Sequence, residues 1–164
     1  MGAPDVTARP ACSSDAGFLL ELFTVSDDSR AWLGRIDAPL VTMQFTARQS
    51  AYAAQFPDAV HEIIEVGGRP AGQVRWTTLP DAILIVDIEV LPAYRRRGAA
   101  TAVYERILAQ ARAAGKPARA TIAKGNIASL ALHQRLGFAI EAETDTHYTV
   151  TSAPAPAESA PPRS

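Results

Sequence analysis

The sequence has one cysteine, Cys12, and only three histidines, His61, His133 and His147, among 164 residues. A lone thiol forms no internal disulfide, and with so few imidazoles it completes no zinc cluster of familiar spacing, so no metal is expected. No motif surrounds Cys12 to activate it, which reads as a buried or idle thiol rather than a nucleophile. An excess of one charge is also missing. The formal net charge is −1, so no global field favours nucleic acid or an anionic membrane, and any anion site has to be local. Long hydrophobic runs are lacking too. The first residues, MGAPDVTARPAC, contain no apolar core of a secretory leader, and no later stretch approaches the roughly 18 apolar residues that span a bilayer. A cytoplasmic protein with no membrane partner is the simplest expectation.

What the chain does have is 48% hydrophobic residues, enough for one core at this length. A single domain is expected over residues 1–152, followed at 153–164 by a flexible Ala/Pro/Ser-rich tail that buries too little apolar surface to offset its ordering entropy. Along the domain, residues 6–9 read as a strand, and Ser14 or Asp15 as the cap of a helix running to Thr24. After a less regular stretch, residues 37–56 suit a second helix closed by Pro57 and Asp58. Strands at 61–66 and 72–77 flank Gly67 and Gly68 as a hairpin. Residues 82–90 are β-branched and apolar on both faces, the pattern of a central buried strand, which Pro92 ends. Beyond Gly98 the apolar stripe Ala100, Val103, Tyr104, Ile107, Leu108 and Ala111 marks the clearest helix, terminated at Gly115. A strand at 118–123, a helix capped by Asn126 and closed by Gly137, and strands at 138–141 and 147–151 complete an α/β order, a mixed sheet with helices on both faces.

The most informative segment is Val90-Leu-Pro-Ala-Tyr-Arg95-Arg96-Arg97-Gly98-Ala99-Ala100-Thr101: a buried strand, a tight basic loop, then a helix that begins with small residues. Such an arrangement presents unpaired N–H groups and the positive end of a helix dipole to an anion. Gly98 and Ala100 leave room for a phosphate to approach the backbone. Neither G-x-x-x-x-G-K-[ST] nor G-x-G-x-x-G is present. Taken alone, Arg95 to Arg97 read equally as a solvated basic turn or a nucleic-acid contact; their place between strand and helix favours a phosphate loop.

Arg95-x-x-Gly98-x-Ala100 after a strand ending Val-Leu-Pro resembles the acetyl-CoA signature [Q/R]-x-x-G-x-[G/A] of the GNAT acetyltransferase superfamily. Asn126-Ile-Ala-Ser-Leu-Ala-Leu-His133-Gln-Arg-Leu-Gly137-Phe138 is similar to the superfamily's N-x-x-A-x-x-L-Y-x-x-x-G-F segment. The resemblance implies a mostly antiparallel central sheet of six to seven strands with a splayed central pair, flanked by about four helices. It also implies acetyl-CoA as acyl donor and a small-molecule or protein amine as acceptor. Backbone groups of Ile88 and Val90 would pair with the pantetheine arm in the gap between the splayed strands. The backbone of Arg96, Arg97, Gly98, Ala99, Ala100 and Thr101 would take the pyrophosphate, with Arg95 and Arg97 as nearby cations. Asn126 would touch the middle of the cofactor, or act only as a helix cap. His133 departs from the pattern, standing where the superfamily usually has a tyrosine that protonates the departing thiolate.

Acyl transfer to an amine needs a neutral nucleophile, an oxyanion donor and a tolerated leaving thiolate. The Val90 N–H, freed where the strands diverge, is the expected oxyanion donor. Asp87 and Glu89, two apart, share a face of the central strand and suit amine binding and deprotonation, with Glu89 as base and Asp87 as acceptor-binding or relay group. The competing role for either is an ion pair with an arginine such as Arg75. His133 is expected either to act as a modest acid or simply to wall the pocket. Trp32, Tyr52 and Phe56 are read as core or acceptor-pocket residues. A non-catalytic acyl-CoA-binding module and a nucleic-acid-binding domain are the alternatives, and the oligomeric state, a homodimer included, stays open.

Overall fold

The computed structural model describes residues 4–153; the tail expected beyond that point lies outside the described residues. The chain runs β1 (Val6–Pro10), α1 (Ala16–Val25), α2 (Asp28–Ile36), α3 (Ala38–Gln55), β2 (Val60–Val66), β3 (Arg69–Thr78), β4 (Ile83–Val90), α4 (Ala99–Ala113), β5 (Ala118–Ala123), α5 (Ile127–Arg135), β6 (Phe138–Glu143) and β7 (His147–Ser152). One seven-stranded sheet results, in the order β1-β2-β3-β4-β5-β7-β6. Every neighbouring pair is antiparallel except β4 and β5.

The stripe on α4 explains why that helix docks. Val103, Tyr104, Ile107, Leu108 and Ala111 are buried and pack with Ile64, Val74, Ile83, Ile85, Ala120, Phe138 and Val150 into the main core. The opposite face of the sheet is covered by α1 and α3, through Phe23 and Phe45, whose rings lie 5.6 Å apart. Helices therefore lie on both faces.

Two local departures from the expected elements have plain causes. Helix α2 was not foreseen because none of its residues is fully buried and its apolar residues, Trp32, Leu33 and Ile36, are too few in so short a segment to set a period; Asp27 starts it by accepting a hydrogen bond from the Arg30 N–H at 3.0 Å. Asp15 does not cap α1. It turns inward, where its carboxylate takes two hydrogen bonds from Arg9 at 2.8 and 2.9 Å and one from the Cys12 N–H, and a short 3-10 turn precedes the helix. Cys12 itself is exposed rather than buried.

Strand β4 looks apolar on both faces because it changes face partway. Arg75 pairs with Asp87 and Trp76 with Ile85, so Val86 is an extra residue, a β-bulge. Ile85 and Ile88, three apart, thereby both reach the α4 core, while Asp87 and Glu89 turn to the face beneath α1 and α3. The bulge is what places two carboxylates on the far face without interrupting the core.

Candidate active site

The parallel pairing of β4 and β5 stops after Ile83↔Ala118, Leu84↔Arg119 and Ile85↔Ala120. Beyond that point the strands part: β5 continues to Ala123 against β7, and β4 continues to Val90 against β3. The Leu91 N–H bonds to the Ala71 carbonyl on the β3 side at 2.8 Å. By the two-residue alternation of a strand, the amides of Ile88 and Val90 point the other way, into the opening. The gap holds a cavity of about 120 Å³, lined by Ile88, Tyr104, Ile122, Asn126, Ser129 and His133 among others. The central pair is thus splayed, with unpaired strand edge available for an extended ligand.

At the end of β4 the chain makes a 3-10 turn at Pro92–Tyr94 and reaches α4 through a left-handed pair, Arg96 at φ 62° and Gly98 at φ 80°. The first bond of the helix runs from the Ala102 N–H to the Gly98 carbonyl. The amides of Ala99, Ala100 and Thr101 precede that bond and are left without helical partners. A Cβ built on Gly98 would meet nothing within 4 Å, so no protein atom crowds that side of the turn. Arg96 and Arg97 are exposed and form no ion pair among the described residues. Arg95 does something different from the cation role expected of it. Its guanidinium folds back to donate to the carbonyls of Val90, at 3.2 Å, and Ser26, at 2.9 Å, tying the loop to the end of α1. Asn126 caps α5, accepting from the Ser129 N–H at 3.1 Å, and lies at the edge of the gap.

His133 is 2% exposed, and both ring nitrogens are engaged. Nδ1 lies 2.7 Å from the Ser129 carbonyl, which only accepts, so Nδ1 carries the proton. Nε2 of the neutral ring is then the acceptor for the Tyr104 hydroxyl at 2.8 Å. Burial lowers the imidazole pKa, partly opposed by the Ser129 carbonyl, and burial followed by the charge of Asp87 raises that of the Tyr104 phenol. The expected acid role for His133 does not fit this geometry: no N–H remains to aim into the gap, and the imidazolium is disfavoured. Tyr104, read from the sequence only as part of a core stripe, is the second polar group of the gap's floor.

On the other face, Asp87 and Glu89 meet arginines from the helices rather than from the neighbouring strand. Arg48 of α3 bridges them, Nη2 to Asp87 at 3.0 Å and Nη1 to Glu89 at 3.2 Å. Glu89 also accepts from Ser26 at 3.2 Å and Arg30 at 3.3 Å, and Asp87 from the Gln73 amide at 2.9 Å. Arg75, the expected partner, bonds instead to Gln49 and His61. Burial, and then the neighbouring charge of Glu89, push the Asp87 carboxyl up to about 6. Tyr52 lines this cleft, while Phe56 is not among its lining residues and Trp32 is 61% exposed on α2. Arg48 and Arg30 carried no signal in the sequence, since single arginines on helices are ordinarily solvated.

The family model described as "Acetyltransferase (GNAT) family" matches residues 27–138. No curated protein sequence matches the chain. Among solved structures, PaiA N-acetyltransferase of Thermoplasma acidophilum, in complex with coenzyme A, superposes with a TM-score of 0.70 at 10% identity, covering 90% of this chain and 98% of that one. The ribosomal-protein-S18-alanine N-acetyltransferase of Escherichia coli gives 0.67 at 16% identity, over 93% and 96%. YncA, a putative acetyltransferase of Salmonella typhimurium with its cofactor acetyl-CoA, gives 0.56 at 20% identity, over 96% and 98%. At such identities the likeness concerns the fold, and the family rests on the sequence model, which spans more than half of the chain. On that match, with the splayed strands and the glycine turn before α4 in place, the chain belongs to the acetyltransferase (GNAT) family.

Proposed function

We propose that this protein transfers the acetyl group of acetyl-CoA to a primary amine of a small molecule or protein. The observation that carries the reading is the continuity of two features: an opened strand edge on β4, and, where that strand ends, a run of unpaired amides behind a left-handed glycine. Together they suit a ligand with an extended amide-bearing arm and a diphosphate. Acetyl-CoA, when bound, supplies an activated acyl carbon and a thiolate leaving group.

This chain's residues then divide the work. Amides of Arg97 to Thr101 hold the diphosphate, with Arg96 and Arg97 as surrounding cations, and Ile88 and Val90 pair with the arm. The Val90 N–H donates to the developing oxyanion, a contact whose loss in comparable sites costs on the order of 3 kcal/mol. For the proton of the amine we favour Asp87 over Glu89. Glu89 is occupied by three donors, Ser26, Arg30 and Arg48, whereas the buried Asp87 has been pushed towards neutrality and is the better matched base. His133 and Tyr104 satisfy each other and shape the floor of the gap. The leaving thiolate is tolerated unprotonated, at a cost of roughly 2 kcal/mol near neutral pH.

Thiol release from acetyl-CoA in the presence of an amine panel, with the acetylated product identified by mass, tests this reading. Turnover is expected. Binding of acetyl-CoA without turnover of any amine would favour a non-catalytic acyl-CoA-binding module.

A further inference from the structure

The cleft beneath α1 and α3 has more cation than its carboxylates neutralise. Arg30 and Arg48 pair with Asp87 and Glu89, and Arg75 lines the same cleft. Arg48 spans both carboxylates, and the space left in the cleft is about 10 Å³, roughly one water. Its guanidinium therefore sits where the ammonium group of an acceptor has to go. Arg75 is the surplus charge. It faces the same cleft directly opposite Asp87 in the β3–β4 register, within about 5 Å as cross-strand neighbours are. It has no carboxylate partner among the described residues, and its Nε is buried without a hydrogen bond. Its Nη2 donates to Gln49 and to His61 Nδ1, and the second of these bonds continues towards the base: His61 Nε2 donates to the Gln73 side-chain oxygen, and the Gln73 amide donates to Asp87.

These charges favour one kind of acceptor. An amine with no other charge would have to displace Arg48 from both carboxylates, leaving two half-buried guanidinium groups without counter-ions, which is unfavourable in a desolvated cleft. An acceptor that carries its own carboxylate exchanges partners instead. Its ammonium takes Asp87 and Glu89, and its carboxylate takes Arg75 and the released Arg48, with the bidentate geometry that guanidinium favours. Taking the acetyltransferase reading as its basis, we infer that the preferred acceptors are amino acids or close derivatives, in which a carboxylate lies a few bonds from the reacting primary amine.

In the transfer, the amine nitrogen forms a bond to the acetyl carbon and the carbon–sulfur bond breaks. Its electron pair leaves on the coenzyme A sulfur; of the two protons the ammonium gives up, one passes by Asp87 to solvent before attack and the second follows by the same carboxylate as the amide forms. The carboxylate of the acceptor is unchanged.

Matched acceptor pairs test the inference: L-phenylalanine against phenethylamine, L-leucine against isoamylamine, L-tyrosine against tyramine, each with acetyl-CoA and thiol release as readout. For the pair whose side chain the pocket accepts, kcat/KM is expected to favour the amino acid by about tenfold or more, the scale of a hydrogen bond to a charged group. In Arg75→Gln, with folding checked by its thermal shift with acetyl-CoA, that ratio is expected to fall towards one, chiefly through a raised KM for the amino acid. Amines turned over as well as or better than their amino acids would overturn the inference while leaving the acetyltransferase reading intact, as would an unchanged ratio in Arg75→Gln. Thiol release with neither class, while another amine of the wider panel or a protein amine is acetylated, would overturn the inference alone; no release with any amine would overturn both.

Discussion

Replacing Gly72 with alanine probes the strand that carries the site, from its opposite side. Gly72 lies across from Val90 in the β3–β4 pairing. A Cβ added there would overlap the Glu89 carbonyl oxygen and come within 3.1 Å of the Val90 Cα. These are backbone atoms, so no side chain can swing away, and ordinary van der Waals separation requires β4 to move by on the order of 1 Å. Overpacking of this kind costs about 1–3 kcal/mol of stability. The catalytic effect is expected to be larger, because displacing reacting groups by ~1 Å costs on the order of a hundredfold, and both Glu89 and the proposed oxyanion donor Val90 ride on the displaced segment. Urea unfolding followed by circular dichroism gives the first quantity, and thiol release gives the second. A Gly72→Ala protein with wild-type midpoint and wild-type kcat/KM would refute the claim that this close backbone approach sets the position of the site.

Other perturbations separate the remaining roles. Gly98→Glu places a carboxylate and a side chain in front of the α4 amides at a left-handed position; it is expected to lose about 1 kcal/mol of stability and all thermal stabilisation by acetyl-CoA, which in wild type reaches about 2.7 kcal/mol at a hundredfold excess over Kd. If Asp87 is the base, kcat/KM should fall as pH drops below about 6, where its carboxyl protonates, and Asp87→Asn should lose activity. The sign for stability is opposite: a carboxyl raised above its unfolded value binds its proton more tightly in the folded state, so stability falls as pH rises through that window, and Asp87→Asn should remove this slope in urea titrations. His133→Phe leaves the buried Tyr104 hydroxyl without its acceptor, costing about 1–3 kcal/mol, while kcat should fall less than about fivefold and keep its pH profile. A larger drop with loss of a limb near neutrality would restore the acid role.

Elements with an apolar period or a proline or glycine boundary were legible. The stripe on α4, the helix capped by Asp37, which accepts from the Leu40 N–H, and β5 at Ala118–Ala123 stand close to where periodicity and turn chemistry put them. Legible too was the loop, because Gly98 stands between a strand and a helix and each constrains its neighbour. What failed were features made by tertiary contact. Helix α2 is short and only half-buried against its neighbours, so its few apolar residues make a weak pattern. The Val86 bulge leaves no sign in a run of β-branched residues, yet it decides which face Asp87 occupies. Arg48 reaches those carboxylates from nearly forty positions away, and Tyr104 meets His133 across two helices; neither pairing follows from local spacing.

The central claim is that a diphosphate is held by backbone amides at the start of α4 while an extended arm lies along the open edge of β4. Titrating ¹⁵N-labelled protein with coenzyme A tests it residue by residue. Saturable shifts concentrated on the amides of Arg97 to Thr101, with Ile88 and Val90 following, are the predicted result. Those amides standing still while others saturate would contradict it.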